Sequence, residues 1–235
     1  MEAIYVGAAD IARGKVRSLR NPEYRKKYED AYRLDLKRYG GELTLEEANK
    51  KLLARGRGIR ELPKIRKMHG ICKPLSKEDI LVLNRMLLYP EDVERDLTID
   101  NPIELGQIAE ILYAERLPTI RLWVHWKDYV MGVVPDGIAD SYTYEFKATT
   151  QSGRDAEDVK AQAARQVQLY AYAFKRPNIK AQIAQFQLSK DAFPVKVKDL
   201  AKPDIATITR PGSEDEALTI LEHFDRIFRQ PHEER

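Results

Sequence analysis

Two carboxylates and a lysine lie close together within residues 131–149, MGVVPDGIADSYTYEFKAT. This stretch reads as two short strands joined by a tight turn at residues 140–141. If the turn closes a two-residue hairpin, Asp136 lies directly opposite Glu145. Lys147 then falls on the same face as Glu145, because side chains alternate between the two faces of a strand. The pattern therefore predicts two carboxylates and an amine on one face of a hairpin.

The two carboxylates would repel each other in an isolated hairpin. Their Cβ atoms are expected to lie about 5 Å apart, a distance at which like charges destabilise a sheet. A divalent cation would offset this repulsion, and carboxylate oxygens suit Mg²⁺ or Mn²⁺. Tyr144 and Phe146 alternate with the charged residues and point to the opposite face.

A long helix is predicted over about residues 152–175, and it carries a second polar pair. Gln166 and Tyr170 are four positions apart, so their side chains lie on one helical face. The separate apolar face consists of Val167, Ala171 and Phe174. Either motif alone is typical of surface or packing positions, but a Gln/Tyr pair directly after a Glu-x-Lys strand is a specific combination.

The other elements after residue 100 predict a mixed sheet covered by helices. Asn101 and Pro102 begin a helix that extends to about Ala114. Its predicted buried side consists of Ile103, Ile108, Ile111 and Leu112. Pro135 is unfavourable inside a central strand and predicts a bulge or bend next to Asp136. The remaining predicted elements are strands at residues 121–129, 181–188, 194–197 and 206–209, and a closing helix at 214–229.

Residues 1–100 are interpreted as a mainly helical, basic lobe. Helices are predicted at about residues 22–39, 43–54 and 76–89, and Thr44 with Glu47 forms a capping box. The tyrosines Tyr24, Tyr28 and Tyr32 share one face of the first of these helices.

Basic side chains in this lobe are candidates for contacts with a nucleic-acid backbone. They are Arg25, Lys26, Lys27, Arg55, Arg57 and Arg60. The alternatives are a solvated surface helix whose tyrosines pack on the protein body, and an ordinary polar linker.

The composition indicates a soluble, cytoplasmic protein. The 235 residues are 43% hydrophobic and 33% charged, which is enough for one core, and the net charge of +3 says little about partners. Cys72 is the sole cysteine, so a disulfide within the chain is excluded. No apolar run has the length of a membrane span, and the first residues lack the order of a signal peptide. The high charge is weakly indicative of a thermophilic source, such as an archaeon or its virus.

The ordered set of Asp136, Glu145-Phe146-Lys147 and Gln166-x-x-x-Tyr170 resembles the RecB-type branch of the PD-(D/E)XK nuclease superfamily. The CRISPR-associated exonucleases of that branch carry the same motif string. The similarity covers about residues 103–170. It implies a restriction-endonuclease-like core, a mixed central sheet flanked by helices, over residues 101–235. The basic lobe of residues 1–100 would then guide a strand into the site.

The resemblance implies a metal site. Asp136 and Glu145 would hold Mg²⁺ or Mn²⁺, which polarises a phosphate and lowers the pKa of a bound water. Glu110 would add a third carboxylate, and the backbone carbonyl of Phe146 would be a further ligand. The family pattern has a glycine followed four residues later by a metal-binding histidine, whereas Gly106 is followed by Glu110.

The resemblance also assigns roles to the other polar residues. Lys147 would position or activate the water and offset developing negative charge. Gln166 would orient the lysine or the water, and Tyr170 would contact the nucleic-acid strand. Cys72 alone cannot hold the iron–sulfur cluster of many CRISPR-associated members, so a cluster-free relative or a viral or mobile-element cousin is implied.

Three functions follow as expectations. The first is a metal-dependent deoxyribonuclease, an exonuclease with a preference for single strands. The second is a structure-specific or restriction-like endonuclease on single- or double-stranded DNA. The third is a nucleic-acid-binding or assembly module that does not cut. The sequence has no phosphate-binding G-x-x-x-x-G-K-[ST] loop, so any helicase or recombination activity would belong to a separate partner.

Overall fold

The computed structural model describes residues 3–53, 95–96, 98–150 and 154–230. These residues form a mixed α/β protein in which three β-sheets pack against helices. The strands are β1 (Ile4–Gly7), β2 (Thr98–Ile99), β3 (Leu122–Trp126), β4 (Tyr129–Val133), β5 (Gly137–Ile138), β6 (Tyr142–Thr149), β7 (Asn178–Gln185), β8 (Val195–Lys196) and β9 (Asp204–Pro211). The helices are α1 (Ala8–Ala12), α2 (Val16–Arg20), α3 (Pro22–Tyr39), α4 (Leu45–Leu53), α5 (Pro102–Tyr113), α6 (Arg154–Phe174) and α7 (Glu214–Arg229).

The largest sheet has the strand order β5-β6-β7-β9, and its two central strands are parallel. In their register Glu145 lies beside Ala181 and Lys147 lies beside Ile183. Ala181 and Ile183 are buried in a hydrophobic cluster with residues of α6. Because neighbouring residues in a parallel register share a face, Glu145 and Lys147 face α6.

The opposite face of the same sheet packs against α5. Tyr144 and Phe146 are buried there with Leu105, Ile108 and Ile111. The predicted division of β6 into a charged face and an aromatic face is therefore confirmed. Two different helices cover the two faces, and this arrangement decides which polar residues can meet.

The chain passes from one sheet to another directly before Asp136. The sheet β1-β4-β3 contains β4, which ends at Val133, and β5 begins at Gly137 in the other sheet. Pro135 lies between them, and its carbonyl oxygen accepts a 2.5 Å hydrogen bond from the hydroxyl of Thr119. The predicted bend at Pro135 is confirmed.

The turn at residues 140–141 closes a two-residue hairpin, as predicted. The Ala139 N–H donates to the carbonyl oxygen of Tyr142 over 2.9 Å, and Gly137 pairs with Tyr144. The paired register begins at Gly137, and Asp136 lies directly before it, with its backbone N–H donating to the carbonyl oxygen of Tyr144 over 3.1 Å.

The N-terminal region is helical, as predicted, but it also contributes a strand. β1 pairs with β4 in parallel, and buried residues of the first 52 positions share one hydrophobic cluster with α6 and α7. The predicted capping box is confirmed, because the Glu47 N–H donates to the Thr44 hydroxyl over 3.2 Å. β1 was not predicted, since it has only four residues and α1 begins immediately after it.

Several predicted boundaries were wrong. The predicted strand at residues 121–129 is a hairpin with its turn at Lys127 and Asp128, and Lys127 has a φ of 51°. β7 begins three residues earlier than predicted. β9 has eight residues, whereas four were predicted. Ile103, in the first turn of α5, is 71% exposed and does not belong to the predicted buried side. The closing helix has the predicted bounds.

Some predictions lie outside the described residues. They are the helix at residues 76–89, the residues Arg55, Arg57 and Arg60, and Cys72. Among the helices that are described, none is both long and apolar enough to cross a bilayer.

Candidate active site

Asp136 lies where the chain enters β5, and its carboxylate extends the hairpin ladder. The Phe146 backbone N–H donates to Asp136 Oδ2 over 3.0 Å. The Asp136 backbone N–H donates to the carbonyl oxygen of Tyr144 over 3.1 Å. The bend at Pro135 removes the backbone partner that a continuous strand would offer to Phe146, and the Asp136 side chain replaces it.

Glu145 is the most deeply buried acidic residue of the site, with 1% of its surface exposed. Its Oε1 atom forms an ion pair with the Lys147 ammonium, whose side chain is 19% exposed. Its Oε2 atom is buried and accepts no hydrogen bond from a donor among the described residues, and the carboxylate of Asp136 lies close to it. Burial, and then the negative charge of Asp136, raise the pKa of Glu145 to about 8, outweighing the opposing effect of Lys147.

The backbone of Phe146 offers a further oxygen at this position. The N–H and C=O groups of one strand residue point to the same edge of the strand. Because the Phe146 N–H is directed at Asp136, its carbonyl is directed to that edge as well, away from β7. The two carboxylates and this carbonyl therefore supply oxygen atoms on one side of β6.

Gln166 and Tyr170 lie together on α6, as their spacing predicts. The Gln166 Nε2 donates to the Tyr170 hydroxyl over 2.5 Å. The Gln166 Oε1 is buried and has no hydrogen-bond partner in the described part of the chain. The hydroxyl of Thr143 donates to the carbonyl oxygen of Val167 over 3.1 Å, which anchors this part of α6 on the charged face of β6.

Tyr170 does not fit its predicted contact with a nucleic-acid strand. The residue is 1% exposed and its hydroxyl is hydrogen-bonded to Gln166. Tyr170 is buried because its apolar neighbours on α6 pack this segment of the helix into the core. Its side chain is suited to positioning Gln166 rather than to touching a strand.

Glu110 is not brought together with the other two carboxylates. It lies on α5, the helix that packs on the aromatic face, whereas Glu145 faces α6. Burial, together with the charges of nearby carboxylates that include Glu110 and Asp136, raises the pKa of Tyr144 on that aromatic face. Among the described residues, no group of three or more His, Cys, Asp and Glu side chains is arranged to hold a metal ion. The predicted three-carboxylate cluster is therefore not formed.

The predicted nucleic-acid contacts on α3 separate into two groups. Lys27 lies 3.5 Å from Asp10 Oδ2, and its ammonium lies 3.5 Å from the ring centroid of Tyr24. Arg25 and Lys26 instead line a cavity next to the end of α7. These neighbouring cations therefore have different surroundings.

Asp10 was missed by the sequence analysis. It is 4% exposed, accepts a 2.8 Å hydrogen bond from the hydroxyl of Tyr24, and is also bonded by the hydroxyl of Tyr28. Burial would raise the pKa of Asp10, but these hydrogen bonds and two lysines lower it overall. The tyrosines thus pack on the protein body, as in the alternative interpretation, and their four-residue spacing was the signal for a shared buried acceptor.

The described site can present two adjacent carboxylates and an amine on the β5-β6 hairpin, and an amide on α6, the helix that covers this face. Such groups are suited to binding a hard cation and moving a proton, provided that the ion pair between Lys147 and Glu145 opens. No protein-family model matches the chain, and a comparison with curated proteins finds no significant relative.

Proposed function

We propose that this protein is a metal-dependent phosphodiesterase that cuts DNA. The observation that carries the proposal is the buried Glu145, whose Oε2 accepts no hydrogen bond from a donor among the described residues while Asp136 and Lys147 lie beside it. A buried carboxylate next to a second carboxylate costs free energy, and groups with perturbed pKa values cluster at functional sites. A bound cation would supply the missing partner for Glu145.

The residues present fit a divalent cation with oxygen ligands. Asp136, Glu145 and the backbone carbonyl of Phe146 would hold Mg²⁺ or Mn²⁺, and water and a substrate phosphate would complete its coordination. The bound cation would supply charge for the phosphate and a lowered pKa for a coordinated water. Glu110 is left out of this ligand set because it lies on the helix that covers the other face of β6.

The other side chains have roles that do not require direct contact with the cation. Lys147 would leave Glu145 when the carboxylate binds the cation, and its ammonium would then offset negative charge at the phosphate. Gln166 would orient Lys147 or the attacking water through its buried Oε1. Tyr170 would fix the orientation of Gln166 through the hydrogen bond to its amide.

The fold supports assignment to the PD-(D/E)XK superfamily. The chain order is the helix α5, the β3-β4 hairpin, a second hairpin that follows Asp136 and carries Glu-x-Lys, the long helix α6 with Gln-x-x-x-Tyr, and the strand β7, which is parallel to β6. On that resemblance we propose a restriction-endonuclease-like core and an exonuclease that prefers single-stranded DNA. A structure-specific or restriction-like endonuclease is the alternative within the same class.

One assay tests the activity and the site together. End-labelled single- and double-stranded DNA is incubated with the full chain in Mg²⁺, Mn²⁺ or EDTA, beside Lys147→Ala. Lys202→Ala is the matched control, because Lys202 is exposed and lies outside the site. We expect cutting with either metal, none in EDTA, and loss in Lys147→Ala alone. Cutting that persists in Lys147→Ala would contradict the assigned site.

A non-cleaving nucleic-acid-binding module is the second candidate. It is favoured by the lack of a third acidic ligand among the described residues and by the ion pair between Lys147 and Glu145. A module of this kind would bind DNA equally well in EDTA and leave both labelled substrates intact at every metal concentration.

A further inference from the structure

A cavity of about 510 Å³ lies between the start of β1, the first turns of α3 and the end of α7. Its lining includes Ile4, Tyr5, Arg20, Arg25, Lys26 and Phe228. This volume is within the range of small-molecule sites, which are about 300–1,000 Å³. The cavity is therefore large enough for one nucleotide-sized molecule.

The polar lining of this cavity is mostly cationic. The guanidinium of Arg20 donates to the carbonyl oxygens of Phe228 (3.1 Å) and Gln230 (2.9 Å) at the end of α7, and to that of Ile227. These acceptors are backbone carbonyls at the negative end of the α7 dipole, so they offset only part of the positive charge of Arg20. No ion pair joins Arg20, Arg25 or Lys26 to a carboxylate of the described residues.

Among the described residues, Glu29 is the carboxylate that lines the cavity, and it is already paired. Glu29 Oε1 lies 2.5 Å from the guanidinium of Arg33, one turn further along α3. Three cations therefore line the cavity, and the negative charge of its carboxylate is already offset by Arg33. Such a lining favours an anionic ligand.

Arg25 has a donor that lacks an acceptor. Its Nε atom is buried and has no hydrogen-bond partner within the described part of the protein. A buried donor without an acceptor is unfavourable, and an anion next to this guanidinium would offset that cost through its charge. The planar Arg25 guanidinium lies 6.0 Å from the centroid of the Phe228 ring.

The remaining walls are apolar and aromatic. Tyr5 and Phe228 are both partly exposed and line the cavity together with Ile4 and Pro22. Aromatic faces stack on nucleobases, and this stacking tolerates any base because every base has a π-face. We propose that the cavity binds a nucleoside phosphate, with its phosphate on Arg25 and Lys26 and its base against Phe228 and Tyr5.

This site is distinct from the candidate active site. Ile4 pairs with Tyr129 at the beginning of β4, whereas Asp136 follows the opposite end of that strand. The four steps from Tyr129 to Val133 alone span about 13 Å. The proposal does not depend on whether the protein cuts DNA.

The test is isothermal titration of the full chain with dAMP in EDTA. Deoxyadenosine, inorganic phosphate and a short oligonucleotide with a 5′-phosphate are titrated in parallel. We expect saturable binding of dAMP, and a Kd at least about tenfold weaker for deoxyadenosine and for phosphate alone. Tighter binding of the oligonucleotide than of dAMP would assign the site to a strand end, and the reverse order would assign it to a free nucleotide.

Neighbouring residues of α3 supply matched variants. Arg25→Ala and Lys26→Glu should each weaken dAMP binding by about tenfold or more. Lys27→Ala should leave binding unchanged, because Lys27 contacts Asp10 and Tyr24 instead. Lys26 is exposed, so Lys26→Glu tests the site even if Arg25→Ala fails to fold.

Three results would overturn the proposal. They are the lack of saturable dAMP binding up to about 1 mM, unchanged binding in Lys26→Glu, and equal affinity for inorganic phosphate and dAMP.

Discussion

Asp136 binds the backbone N–H of Phe146 through its carboxylate, over 3.0 Å. One side chain therefore has both a structural and a proposed chemical role. It completes the edge of β6 where Pro135 has ended the neighbouring strand, and this contact fixes one carboxylate oxygen beside Glu145. The proposed cation site is thus built into the hairpin ladder.

Substitution of Asp136 should separate these two roles. Asp136→Asn retains an oxygen that can accept from Phe146, so we expect near-native stability with cutting lost. Asp136→Ala leaves the Phe146 N–H without its acceptor and should lower the free energy of unfolding by about 1–3 kcal/mol. Urea denaturation of both variants measures the difference. Equal stability of the two variants would contradict the structural role of Asp136.

Glu145→Gln should remove a pH dependence of stability. The folded state raises the pKa of Glu145 from 4.5 to about 8, so the neutral form is favoured in the fold. Its contribution to stability is complete below pH 4.5 and is lost as the pH rises through about 8. Compared with the wild type, Glu145→Gln should therefore gain stability between pH 5 and pH 8.5, by of the order of 2–4 kcal/mol.

Denaturant unfolding at several pH values in EDTA provides this measurement. Glu157→Gln is a suitable control because Glu157 is exposed on α6 and forms an ion pair with Lys160 at the surface. A constant difference between wild type and Glu145→Gln across this pH range would show that Glu145 keeps an ordinary pKa.

Mg²⁺ or Mn²⁺ should stabilise the protein, and more strongly at high pH. Binding requires the Glu145 carboxylate to lose its proton, so affinity should rise towards pH 8. A ligand at one hundred times its Kd stabilises the folded state by about 2.7 kcal/mol. Thermal denaturation with and without metal, at pH 6 and pH 8, checks this. Asp136→Asn and Glu145→Gln should show little or no rise in Tm, and a rise equal to that of the wild type would exclude these carboxylates as ligands.

Glu110→Gln should have a much smaller effect than Asp136→Asn. Glu110 lies on α5, the helix that packs on the face of β6 opposite to Glu145, so its loss should reduce the rate of cutting by less than about tenfold. Loss of a direct metal ligand should reduce the rate by about a hundredfold or more. Single-turnover rates of the two variants provide the comparison. Equal losses would place Glu110 at the cation after all.

The sequence could predict the hairpin because its determinants are local. A two-residue turn fixes the register, and the alternation of side chains then fixes the faces of Glu145 and Lys147. The bend at Pro135 and the ends of α3 likewise follow from single residues. Gln166 and Tyr170 meet because they are one helical turn apart.

Features that depend on tertiary packing could not be predicted in the same way. The position of Glu110 depends on which face of the sheet α5 covers, and the spacing from Gly106 does not contain that information. The burial of Tyr170 depends on how closely α6 packs on β6. Asp10 was overlooked because its partners Tyr24 and Tyr28 lie 14 and 18 positions away in the sequence.

The pairing of β1 with β4 also has a consequence for the order of folding during synthesis. Ile4 meets Tyr129 only after 125 further residues have been made, since 129 − 4 = 125. Contacts so distant in sequence form slowly, because a long loop must close first. The β1-β4-β3 sheet, and the bend that leads from it to Asp136, can therefore be completed only after the residues up to Asp136 have emerged from the ribosome.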